Sequence, residues 1–276
     1  MDLGRFGVWR RGAELSPDLA REVERLGYAT LWVGGSPTGD LDIVEELLDA
    51  TTFLTLATGV VNLWRSDATT VASSFHRLEA AHPGRFLLGV GVGHPESVAG
   101  YRSPYSALVA YLDDLDAAGV PPQRRVLGAL GPRVVGLAGE RALGAHPYLV
   151  PSEHSRRARA LLGPERLLAP EHLAVIDPDP VRARARGRSA VAKPYLELTN
   201  YRRNLLSLGF DAADLADGGS DRLVDALVAH GGPEQVATRL AEHLGAGADH
   251  VAIQLLAESE DSYVAGLAAL AQALPG

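Results

Sequence analysis

The feature that most constrains this chain is a rhythm. Short apolar, β-branched runs alternate with stretches of helical period from one end to the other. Residues 6–9, 30–33, 54–62, 86–93, 125–129, 145–150, 167–176 and 250–256 read as strands. Between them, residues 16–26, 40–48, 69–81, 105–118, 132–137, 152–162, 179–193 and 233–244 read as helices, and residues 259–274 as a closing one. Ser16-Pro17-Asp18 shows the start signal well, with a capping hydroxyl, a first-turn proline and an acid at the positive end of the helix dipole. Only residues 194–232 break the pattern, with two or three helical pieces including 221–229. Eight strands alternating with helices predict an α/β fold, a (β/α)8 TIM barrel with a helical insertion before the last strand (about 194–232), in a single domain 1–276. An open doubly wound sheet is the alternative.

Composition narrows the partners. The net charge is −8, so no basic face for nucleic acid or an anionic membrane is expected, and any anionic ligand must be met by local donors. The chain has no cysteine, which removes disulfides, thiolate catalysis and thiolate metal sites, and no metal site is expected. No apolar run approaches a membrane span or a secretory leader, so a cytoplasmic protein acting on a small-molecule substrate is expected.

In a barrel of this kind ligands sit where strands end, at the C-terminal rim. The third strand carries a lone glycine, Gly59, near its end, and the fourth ends in Gly89-Val90-Gly91-Val92-Gly93-His94. Two neighbouring strands that end in small residues leave room for a flat cofactor. The residues alone leave open whether Gly59 relieves a bend or admits a ligand to the backbone. Other residues at or near the rim are Trp9, Gly34-Gly35-Ser36, Asn62, Trp64, Leu130, Gly131 and Tyr148. Arg182, Arg184, Arg186 and Arg188 spread around a helix and read as a solvated face.

Ala57-Thr58-Gly59-Val60-Val61-Asn62, a helix, then Gly84-Arg85-Phe86-Leu87-Leu88-Gly89-Val90-Gly91-Val92-Gly93 resembles the luciferase-like monooxygenase superfamily, in its branch using the deazaflavin coenzyme F420. Leu127-Gly128-Ala129-Leu130-Gly131-Pro132-Arg133, the run from Gly144 to His154, and the block from Gly231 to Val251 extend the resemblance over nearly the whole chain.

The resemblance implies a non-proline cis peptide at Gly59 to Val60, pressed on one face of the flavin ring, with Thr58 and Asn62 tying down the backbone around it. It implies that Val92, Gly93 and His94 line the ring edge. His94 stands where relatives hold an acidic catalytic residue; it is either a proton relay or a cap that bonds the coenzyme. Leu130, Gly131, Arg133 and Val134 would place a helix start under the coenzyme phosphate. Ser152 and Ser155 offer similar geometry, although capping explains Ser152 equally well. Trp9, Trp64 and Tyr148 would wall the substrate pocket, Tyr148 being otherwise core. A sugar-phosphate dehydrogenase relative has a catalytic histidine where this chain has Gly34-Gly35-Ser36, which argues against that reaction. The expected function is hydride transfer between coenzyme F420 and a small organic substrate. The alternatives are an FMN-dependent monooxygenase needing a reductase partner, which commonly has arginine where Val92 stands, and a non-catalytic flavin-binding barrel. A homodimer fits the family.

Overall fold

Successive side chains of a strand point to opposite faces, and this chain uses both faces for burial. Trp32, Ala57, Leu87, Val126, Ala169 and Ala252 pack together on the inner face of a curled sheet. Leu31, Val33, Leu56, Phe86, Leu88 and Ile253 pack outward against the helices. Trp32 is the bulkiest fully buried side chain, and three alanines share its layer.

The computed structural model describes residues 1–93 and 103–275. The chain runs β1 (Phe6–Arg11), α1 (Pro17–Arg25), β2 (Thr30–Gly34), α2 (Asp42–Ala50), β3 (Thr55–Gly59), β4 (Val61–Asn62), α3 (Ala68–Ala81) and β5 (Phe86–Gly91). There follow α4 (Pro104–Ala117), β6 (Arg125–Leu127), α5 (Pro132–Arg141), β7 (Gly144–Ala145), α6 (Ser152–Leu162), β8 (Leu167–Leu168), β9 (Glu171–Ile176) and α7 (Pro180–Ala192). The last part holds α8 (Thr199–Ser207), α9 (Asp221–Leu227), β10 (Val228–Gly231), α10 (Pro233–Gly245), β11 (Val251–Leu255) and α11 (Glu260–Ala273).

The sheet is parallel, in the order β10-β9-β11-β1-β2-β3-β5-β6-β7-β8, with β4 beside β5. One end, β8, runs on through the chain into β9 near the other end, the two being separated only by Ala169 and Pro170. Ala169 N donates to Ala145 O at 2.9 Å on one side, and Ala252 N to Pro170 O at 2.9 Å on the other, so the sheet curls round on itself.

Three differences from the expected strand pattern have local causes. The third strand is broken at Val60. The seventh is broken at Pro170, which has no N–H for the ladder. The helix expected over 221–229 stops at Leu227, and β10 follows it, parallel to β9. Val228 there packs over Gly187 of α7, where a Cβ would meet it at 2.9 Å, so tertiary packing of a β-branched residue overrides helical period. The expected insertion is therefore not purely helical. The cap at Ser16 forms, accepting from Leu19 N at 3.2 Å, but Ser152 does not cap α6. That role falls to Pro151.

Ion pairs tie the periphery of the insertion. Arg184 is paired with Asp225 at 2.7 Å, Arg188 with Asp221, and Arg186 with Glu258. Arg182 is paired with Asp177 at 2.8 Å. Arg184, Arg186 and Arg188 thus hold α7 against its neighbours, while Arg182 closes on the turn that opens its own helix. No helix among the described residues is long and apolar enough to cross a membrane.

Candidate functional site

A cavity of about 770 Å³ opens where β1, β2, β3, β5, β6 and β7 end. One side of it is a backbone shelf. The Gly59–Val60 peptide bond is cis, at the position the resemblance assigns to it. Thr58 anchors the strand before the shelf: its Oγ1 donates to Gly89 O at 2.9 Å and accepts from Gly89 N at 2.8 Å. The Val60 side chain lies in a slot made by glycines. A Cβ at Gly91 would stand 2.8 Å from it, one at Gly128 3.3 Å, and one at Gly89 would also overlap Thr58 O. The glycines of β5 and the one after β6 therefore make room for the shelf itself, and only through it for a ligand.

The floor is aromatic. The Trp9 indole lies over Gly34, where any Cβ would overlap its ring. The missing side chain at the end of β2 is thus matched by a large one from β1. His146 stacks on Trp32, with centroids 4.0 Å apart and 7° between planes. Trp32 Nε1 donates to His250 Nε2 at 2.9 Å, and His250 Nδ1 donates to Gly4 O at 2.8 Å. His146 Nδ1 donates to Ala169 O at 2.7 Å. Burial pushes His146 and His250 down to about 4, so both rings are neutral at physiological pH. Trp9 Nε1 and His146 Nε2 are buried polar atoms with no hydrogen-bond partner among the described residues. Such atoms cost about 1–3 kcal/mol each when left unsatisfied.

A row of rings, Trp9, Tyr148, Tyr195 and Tyr201, with successive centroids 5.4, 5.2 and 5.0 Å apart, runs along the edge of the cavity. Beneath it lies Glu171, fully buried, one carboxyl oxygen accepting from Leu149 N at 2.8 Å. Burial raises Glu171 to about 8, leaving it mostly protonated and uncharged at neutral pH. Beyond the row is a second chamber of about 700 Å³, which shares Trp9, Arg11, Tyr148 and Tyr195 with the first and is otherwise lined by a mixture of charged and uncharged side chains. The opposite wall comes from α8, whose Asn200, Arg203, Asn204 and Ser207 recur at helical spacing and line the cavity as a polar stripe.

The structure gathers Trp9, Gly59, Val60, Val92, Gly93, Leu130, Gly131, Val134 and Tyr148 around this one cavity. It does not bring Asn62, Trp64 or Arg133 to it. Asn62 turns inward, its Oδ1 accepting from Trp64 N at 2.9 Å, beneath Gly93, and Trp64 follows it away from the mouth. Arg133 lays its guanidinium 4.3 Å over the Tyr105 ring. Successive residues of a helix point about 100° apart, so Val134 faces the cavity in its place. Ser155 is buried and bonds His243 Nδ1 at 2.8 Å, and so is no anion site. His94 lies outside the described residues. His146, Tyr195, Tyr201 and the α8 stripe were not singled out from the sequence. Among the described residues no cluster of His, Asp or Glu could hold a metal ion.

Residues 13–118 match the family model of the luciferase-like monooxygenases. A comparison with curated proteins finds no match. Among solved structures, an F420-dependent secondary alcohol dehydrogenase, in complex with an F420-acetone adduct, superimposes with a TM-score of 0.75 at 13% identity, covering 98% of both chains. The coenzyme F420-dependent tetrahydromethanopterin reductase from Methanopyrus kandleri gives 0.70 at 15% identity, again covering 98% of each. The oxygenating constituent of 3,6-diketocamphane monooxygenase from Pseudomonas putida, in complex with FMN, gives 0.73 at 11% identity, covering 98% of this chain and 97% of that one. The fold is shared with all three.

Proposed function

We propose that this protein is an oxidoreductase that holds coenzyme F420 against the Gly59–Val60 shelf of a (β/α)8 barrel and exchanges a hydride with a small organic substrate beside it. The observation that carries the reading is the shelf. Val60 is seated in its glycine slot, so a peptide plane with little side-chain bulk borders the cavity, as a flat ring requires. A Cβ at Gly59 would meet both Trp9 and His146, within 3.0 Å of each. The residues present therefore fit the group: Gly59, Val60 and Gly91 to Gly93 would hold the ring, and Leu130, Gly131 and Val134 the start of its tail, where α5 opens without a side-chain cap. Arg203, on the far wall, offers a cation to an anionic tail.

When bound, a deazaflavin supplies an obligate hydride carrier with little oxygen reactivity. The chain's own work is to orient the ring and substrate and to exclude water with the Trp9–Tyr148 row. On the resemblance, His94 moves the accompanying proton.

An FMN-dependent monooxygenase is the second reading, favoured by the FMN-bound neighbour. Against it, the fourth strand ends in Val92 where that class commonly has arginine, and Arg133, stacked on Tyr105, is not among the lining residues, although Arg203 could meet either coenzyme's phosphate. Fluorescence titration of the purified protein with F420 and with FMN decides between them. Tight FMN binding with none for the deazaflavin overturns the proposal. Binding of F420 without turnover across alcohols, enones and imines favours a non-catalytic barrel. Full turnover by His94→Ala removes the relay role.

A further inference from the structure

Trp9 Nε1 and His146 Nε2 belong to residues only 4% and 2% exposed, yet both side chains border the cavity. Their nitrogens crowd one spot: a Cβ on Gly59 would lie 2.6 Å from the first and 3.0 Å from the second. The two residues come from β1 and from the segment after β7, which are not neighbours in the sheet, so no local turn imposes the convergence.

Their hydrogen-bonding senses are fixed and opposite. An indole N–H only donates. The Ala169 carbonyl only accepts, so the His146 proton sits on Nδ1 and Nε2 keeps a lone pair. The depressed pKa of the buried ring preserves that tautomer at neutral pH.

We propose that Trp9 and His146 form a clamp for a hydroxyl oxygen, which accepts from Trp9 Nε1–H and donates its proton to His146 Nε2. A carbonyl or ether oxygen satisfies Trp9 alone, and an ammonium satisfies His146 alone. A carboxylate would face the imidazole lone pair in an uncharged, aromatic surround. The clamp therefore selects an uncharged alcohol over a ketone of the same shape. As a substrate assignment this rests on the cavity being the reaction site proposed above, whereas the clamp itself does not. Water meets the same demands, and the test separates it from an alcohol.

The chain has three tryptophans, hence three indole N–H signals in a nitrogen-15 spectrum of the full-length protein. Trp9→Phe identifies one by its loss and keeps a ring over Gly34. Cyclopentanol and cyclopentanone are titrated with and without F420. Cyclopentanol is expected to shift the Trp9 indole and His146 Nε2 signals saturably and to bind about tenfold tighter than the ketone, the discrimination of one unmade buried hydrogen bond. The ketone should move Trp9 only. In His146→Phe, which keeps the stack on Trp32, the alcohol should bind no tighter than the ketone, whereas in Trp9→Phe both should weaken alike and the alcohol should keep its advantage. Equal binding of alcohol and ketone, or a Trp9 signal unmoved by saturating alcohol, as for a clamp that holds only water, overturns the proposal. Loss of F420 binding with an intact alcohol response would sink the coenzyme assignment and leave the clamp standing.

Discussion

Buried titratable groups, among them three histidines and Glu171, give the protein a stability that should peak near pH 7. His146, His172 and His250 are held down to about 4 by burial, against an ordinary value near 6.5. A base with a depressed folded pKa contributes stability fully above its unfolded pKa and loses it as pH falls toward the folded one. Glu171, raised to about 8, behaves oppositely: its contribution is present below its unfolded pKa near 4.5 and is lost as pH climbs to 8. One unit of pH across such a window is worth about 1.4 kcal/mol per group. From pH 6.5 to 5 the three histidines together cost about 5 kcal/mol and Glu171 returns about 2, for a net loss of about 3. From pH 6.5 to 8 Glu171 costs about 1.6 kcal/mol while the histidines, still half-charged in the unfolded chain at pH 6.5, return about 1.2, so the net loss is only about 0.5. Against a typical total of about 5–15 kcal/mol, the loss at pH 5 removes a large fraction of the stability without by itself unfolding the protein. Urea unfolding followed by tryptophan fluorescence between pH 5 and 8, at constant ionic strength, measures the curve. Glu171→Gln should flatten the alkaline limb and steepen the acid one. A wild-type curve that is flat between pH 5 and 6.5, or a Glu171→Gln curve of the same shape as the wild type, would refute the claim that these groups are buried uncharged.

Gly89→Ala places a methyl on the Thr58 carbonyl, a backbone atom that cannot swing aside; a loss of about 3 kcal/mol in urea unfolding is expected. Gly34→His should destabilise by a similar amount because the Trp9 ring fills the space. Combining it with Trp9→Ala should recover more than about 1 kcal/mol relative to additivity, and strict additivity would deny the packing. Arg125 is fully buried and donates to Arg141 O at 3.1 Å, to Val120 O at 3.3 Å and to the Asp116 carboxylate. Arg125→Leu orphans both carbonyls, and chemical denaturation should show a cost of about 3–5 kcal/mol.

Periodicity carried the strand and helix order because burial on two faces leaves a trace in every element. The shelf was marked by Gly59, since a close approach to backbone excludes a side chain. What the sequence hid were matches between distant residues. Nothing near Gly34 announces that Trp9 will cover it, and nothing near His146 that its ring will stack on Trp32. The polar spacing of Asn200, Arg203, Asn204 and Ser207 is visible, but it does not say whether the stripe meets water or a cavity. Arg133 was misplaced for a related reason, because one residue of helical phase decides which side chain enters.

The cavity has two walls of different origin. The shelf wall is woven into the sheet by Thr58, Gly89 and the slot for Val60, where even one added methyl is resisted. The opposite wall is α8, borne on a segment that leaves the sheet after α7 and returns at β10. Exchanging that segment would recut the chamber facing the substrate while the shelf stayed as it is. Diversification within such a scaffold can therefore proceed by replacing a module on one side, with the shelf held as a fixed mould.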